Sequence, residues 1–162
     1  MRWRSRPAPA ALRNAPGTSS RPLPDDRDLT RARLLYEQSI TLNQSLGNTR
    51  TVATEYYNLA SCEIGLGELD RAADILISFR RSTLKNDWND LFPYVCLAEA
   101  SLASAKGDHQ TSAFLLGVAE SGFAALGQVP DPDDAAELDK LRTVATAVLG
   151  PDLTKASPRE SG

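Results

Sequence analysis

Histidine occurs once in this chain, cysteine twice, and aromatic residues make up only 6% of it. Each scarcity excludes something. His109 stands alone, and Cys62 and Cys96 form neither a Cys-x-x-Cys pair nor a set with metal-ligand spacing, so no metal or other cofactor is expected. Isolated cysteines on apolar helix faces act as small buried hydrophobes, which suits a reducing cytoplasm. So few aromatics are too little for the interior of a β-sandwich or barrel. No 18 consecutive apolar residues occur, so no membrane span is expected. Met1-Arg2-Trp3-Arg4 begins with positive charge but no apolar stretch follows, so a signal peptide is not expected either. Phosphate-binding glycine loops of the Gly-x-x-x-x-Gly-Lys-Ser/Thr type and hydrolase elbows are missing as well.

What is present favours helix. Apolar residues make up 41% of 162 residues, much of this alanine and leucine, enough for one domain with a moderate core. Charge is unevenly spread: six arginines face three acids before Leu29, and the remainder is acidic. Residues 1–27 carry Pro7, Pro9, Pro16, Pro22 and Pro24 with Gly17-Thr18-Ser19-Ser20 between them, and no periodic apolar face survives. This predicts a disordered basic arm. Its arginines at 2, 4, 6, 13, 21 and 27 suit nucleic acid or an acidic surface; a solvated leader is the simpler expectation, and nucleic acid is not the expected partner.

From Asp28 onward the apolar residues recur at steps of three and four, predicting six helices. The first, about 28–46, has the stripe Leu29, Ala32, Leu35, Tyr36, Ser39, Leu42 and Leu46. The second, about 49–64, has Val52, Tyr56, Leu59, Ala60 and Cys62. The third spans about 69–84, the fourth ends near Ala105 with Pro93 in its first turn, and the fifth spans about 109–126. Asp131 caps the sixth, Pro132 takes its first position, and Gly150-Pro151 ends it before a frayed tail over 151–162. Gly47, Gly67, Gly107 and Gly127 mark turns, with Asp87 where the pattern elsewhere has glycine. The pattern also repeats. A shift of about 40 residues carries Gly67-Glu68 onto Gly107-Asp108, Ala32 onto Ala72, and Ile75-Leu76 onto Leu115-Leu116. Self-similarity at such a spacing predicts an all-α stack of antiparallel helix pairs.

Tyr56, Asn58, Leu59, Ala60, Gly67 and Ala72 fall where the tetratricopeptide repeat family places an aromatic residue, asparagine, leucine, a small residue, the turn glycine and alanine. The chain thus resembles that family, and the resemblance implies a right-handed superhelical solenoid over residues 28–150. It weakens in the fourth helix, where Glu99 stands at the position of Leu59 and a shifted register is expected. The period exceeds the family's usual repeat of roughly 34 residues. Ala105-Lys106-Gly107-Asp108, Ala113-Phe114-Leu115-Leu116-Gly117-Val118-Ala119-Glu120 and Leu126-Gly127 resemble the last repeat of the helical arms of large bacterial ATP-dependent transcriptional regulators, of the LuxR and maltose-activator type. That implies an isolated regulatory arm, or a fragment of one, without nucleotide-binding or DNA-reading parts.

For function, the resemblance implies a groove lined by the first helix of each pair, holding a protein or peptide partner. Asn58 is the leading candidate there, because its amide bridges a backbone donor and acceptor; tying adjacent helices together is the equal alternative. Arg50, Thr54, Tyr57 and Ser61 share its surface, with Tyr94 and Ser101 from the fourth helix. Helix 1 has no hairpin before it, so self-association or docking through Leu29, Leu35 and Tyr36 is expected. Trp88 serves either as an anchor for a partner or as packing over its turn. No catalytic residues are assigned. His109 reads as a surface turn residue, and Glu55, Glu63 and Glu68 as carboxylates on solvated helix faces. The chain is expected to be a cytoplasmic non-enzyme.

Overall fold

The structure, a computed structural model, describes residues 25–150. The arm expected over 1–27, save its last three residues, and the tail expected over 151–162 lie outside the described residues. Six helices and no strand occur among the described residues: α1 (Asp26–Ser45), α2 (Thr49–Gly65), α3 (Leu69–Lys85), α4 (Phe92–Ala105), α5 (His109–Ala125) and α6 (Pro132–Leu149). Helix α1 begins two residues earlier than Asp28 because the Asp25 carboxylate accepts the Asp28 amide at 2.9 Å. That bond satisfies an N-terminal donor and fixes the helix start. Asp108 and Asp131 cap α5 and α6 in the same way, through the amides of Thr111 and Asp134.

The turns share one backbone device. Gly47, Gly67, Asp87, Gly107 and Gly127 have φ of 72°, 77°, 53°, 81° and 61°. They stand 20 residues apart. After each, the next amide reaches back to the carbonyl five residues earlier: Asn48 to Asn43, Glu68 to Glu63, Trp88 to Thr83, Asp108 to Ala103 and Gln128 to Phe123. With the paired bonds Gly47 to Gln44 and its equivalents, these are Schellman caps that satisfy the orphan carbonyls of five helix ends. The regular spacing runs through α4, so the register shift expected from Glu99 does not occur. Glu99 instead accepts both its bonds from Arg80, at 2.7 and 2.8 Å. Helix α4 is short for another reason: Pro93 needs a helix N-terminus, and the chain turns through Trp88–Leu91 before Phe92 begins it.

The chain divides within α3 into two compact units, of which the described residues 25–79 form one and 80–150 the other. In the first, α1 packs on α2 around Ala32, Tyr36, Ile40, Val52, Leu59 and Cys62, with Leu29, Tyr56 and Ile75 partly buried against them. A fully buried valine, leucine or isoleucine side chain contributes about 1.5–3 kcal/mol. The expected stripe on α1 is corrected here. Ile40 belongs to the core, whereas Leu35, Leu42 and Leu46 point to solvent. In the second unit α4 packs against α5 and α6. Leu91, Val95 and Leu97 are fully buried, and the rings of Tyr94 and Phe123 meet edge to face at 4.9 Å. Ser101 on α4 donates to Glu137 on α6 at 2.8 Å, and Arg142 on α6 donates to Glu120 on α5.

Candidate functional site

Arg50, Thr54, Tyr57, Asn58 and Ser61 recur along α2 at helical spacing and so share one face. Their exposure is uneven. Tyr57 is buried, with its ring 6.1 Å from that of Phe79. Asn58 is buried too, and its amide donates to Glu55 Oε2 at 3.3 Å, within its own helix. Asn58 thereby steadies the same Glu55 carboxylate that Ser39 on α1 bonds. Thr54 donates to the Thr51 carbonyl and Ser61 to the Tyr57 carbonyl. Arg50 and Thr54 are half-buried, and Ser61 is exposed. Tyr94 and Ser101 belong to the other unit, Tyr94 buried and Ser101 bonded to Leu97 and Glu137. Burial, and then the carboxylates of Asp134, Asp131 and Asp90, push the Tyr94 phenol above its ordinary range.

Glu55, Glu63 and Glu68 were expected on solvated faces, and two of them are not. Glu68 is exposed, but Glu55 and Glu63 are only 1% and 0% exposed. Ser39 on α1 donates to Glu55 Oε1 at 3.1 Å, linking the two helices. Glu63 lies between two guanidinium groups: Arg33 Nη1 at 3.5 Å from Oε2, and Arg71 Nη2 at 3.4 Å from Oε1. Arg71 also bonds Glu37 at 2.9 Å. Neither Glu63 oxygen has hydrogen-bond geometry, so charge proximity rather than directed bonding holds it. Helix α2 carries too many buried positions for a single apolar stripe.

Reactive groups are sequestered. Burial, reinforced by Glu63 and opposed by Arg33, pushes the Cys62 thiol up to about 12; burial, reinforced by Glu99 and opposed by Arg80, pushes Cys96 up to about 11. Thiols so shifted are poor nucleophiles at neutral pH. His109 is half-buried rather than exposed and begins α5, and Trp88 is half-buried at its turn. Among the described residues no group of three or more histidine, cysteine, aspartate or glutamate side chains is placed to hold a metal ion, and no helix is long and apolar enough to cross a membrane.

Leu34, Leu35 and Leu42 on α1 and Leu46 at its C-cap are 43–63% exposed, pointing away from the buried Ala32, Tyr36 and Ile40; Val129 and Phe114 are more exposed still. Leu34, Glu37, Gln38, Thr41, Leu42 and Ser45 line a shallow open groove there. Arg27 and Arg31 extend the same face toward the helix N-terminus, both exposed. Of the residues expected to dock a partner, Leu35 is on this surface. Tyr36 and Leu29 are not: they pack into the core beneath it. Five of the six arginines of the basic arm (2, 4, 6, 13 and 21) lie outside the described residues. No protein-family model, curated protein or solved structure matches the chain.

Proposed function

We propose that this chain is a non-catalytic protein-binding module. Its helix pairs stack in the tetratricopeptide manner, and it serves as the repeat arm of a bacterial transcriptional regulator or as a fragment of one. The observation that carries the binding role is the second apolar face of α1, four exposed leucines set opposite a buried side. Exposed apolar side chains gathered on one helix face are a mark of interaction sites. The recurrence of turn geometry every 20 residues supports the repeat reading, and the sequestered thiols and internally committed carboxylates Glu55 and Glu63 support a role without turnover. The partly open face of α2 around Arg50, Thr54 and Ser61 is the second candidate surface for a protein or peptide.

The test is co-purification from the cells that make the protein, comparing the unaltered chain with Leu34→Glu/Leu42→Glu and with Arg50→Glu/Ser61→Arg. All these positions have solvent access, and circular dichroism of each variant checks that the fold is kept. The expected result is a partner set lost with the α1 pair and largely retained with the α2 pair. Identical sets from all three proteins would refute the assignment of binding to α1.

A further inference from the structure

Among the six helices α1 buries the smallest share of its residues. Three of its 20 are buried, Ala32, Tyr36 and Ile40, against nine of 17 in α2 and seven of 14 in α4. Helix α6 buries four of 18, but it rests on two neighbours, α4 and α5. The seam beneath α1 also buries charge. It holds the carboxylates of Glu55 and Glu63 out of water, one bonded by Ser39 and the other facing Arg33 without hydrogen-bond geometry. Dehydrating a carboxylate is unfavourable, and a partner in poor geometry offsets only part of that penalty.

Lifting α1 would let water reach both acids and would give up few apolar contacts. Segments with few buried apolar contacts open at a lower free energy than the rest of a fold. The means of opening is present as well. Helices α1 and α2 are joined by Leu46-Gly47-Asn48 alone, and a Cβ on Gly47 would meet nothing within 4 Å. A few residues at the end of an element suffice for a hinge. We infer that α1 is a strap that opens from α2 about Gly47 while α2 and α3 keep their helices, uncovering Val52, Leu59 and Cys62. This goes beyond the binding role proposed above and does not depend on it, since the strap opens whether or not its outer face holds a partner.

The chain carries its own reporters. Cys62 is buried in the cluster that α1 closes, and Cys96 is buried in the other unit. Burial under α1 keeps the Cys62 thiol unreactive, and an uncovered thiol reacts as an ordinary one. At about pH 8 without denaturant, a thiol reagent added to the full chain is expected to label Cys62 at least about tenfold faster than Cys96. The Cys62 rate is expected to stay nearly flat at low urea, because lifting one helix exposes little surface. Ile40→Ala removes part of the α1 anchor and is expected to raise that rate at least about tenfold, with Cys96 unchanged. Hydrogen exchange gives a second readout, in which α1 amides exchange through the same opening and α2 amides are more protected. Cys62 labelling no faster than Cys96, or as steep in urea as the loss of helix by circular dichroism, overturns the inference. Exchange of α2 amides as fast as those of α1 overturns it too.

Discussion

Gly122 on α5 lies so close to Pro93 on α4 that a Cβ placed on it would stand 2.8 Å from the proline Cγ and 3.3 Å from its Cβ. Both atoms belong to a rigid ring with no rotamer by which to withdraw, so the absent side chain sets how near these helices approach. Gly122→Ala is expected to destabilise the fold by about 1–3 kcal/mol through overpacking. Gly117, in the same helix, has nothing within 4 Å of such a Cβ. Gly117→Ala is expected to stabilise by about 0.5–1 kcal/mol through helix propensity alone. Urea unfolding of the two variants, which differ by five positions in one helix, should therefore shift in opposite directions.

Asp87 holds the left-handed position that glycine occupies at four equivalent turns, at φ 53°. Asp87→Gly is expected to leave stability unchanged or raise it by up to about 1 kcal/mol, because glycine takes this backbone region without steric cost. At Gly67, where φ is 77° and space is open, alanine is expected to cost about 1 kcal/mol for the backbone alone. Denaturant midpoints of the pair check both signs.

The Glu63 carboxylate is fully buried between Arg33 and Arg71, whose side chains keep 23% and 51% exposure. Removing the acid lets both guanidinium groups hydrate, so Glu63→Met is expected to be neutral or stabilising by about 1 kcal/mol. Removing a cation strands the acid instead. Arg33→Ala is expected to cost about 2 kcal/mol, and Arg33→Ala in the Glu63→Met background much less. Thermal unfolding of the four proteins measures the coupling.

The buried thiols give a pH dependence of defined sign. Both are raised from 9.0 in the ordinary thiol to about 12 and about 11 in the fold. The folded chain therefore holds these protons more tightly than the unfolded chain. Their contribution is intact below pH 9.0 and declines as pH rises toward about 11 and about 12. Unfolding free energy measured at about pH 8 and about pH 10.5 should fall less steeply in Cys62→Ala/Cys96→Ala than in the unaltered chain. A thiol reagent at the lower pH should label Cys96 only after unfolding.

Helix ends and turns were legible because their causes are local. Asp131-Pro132, Asp108 and the turn glycines act within one turn of backbone, and each stands where periodicity stops. Asp87 was legible only by its place in the repeat. Packing between helices was less so. On α1, Leu35 and Ile40 are equally apolar, and only the position of α2 decides that Ile40 is inside. Glu55 and Glu63 looked like surface acids because a carboxylate's burial depends on partners from other helices: Ser39 for one, Arg33 and Arg71 for the other. Asn58, read from its position either as a ligand group or as a tie between helices, donates to Glu55 three residues earlier, a neighbour the sequence displays but does not rank.

The five evenly spaced left-handed residues make the chain's length come in steps. Inserting one residue within a helix would rotate everything beyond it by about 100° and move the next cap off its glycine or aspartate. The helices of this chain are therefore fixed in length by caps that act every 20 residues, and a single added or lost residue within one of them would be costly.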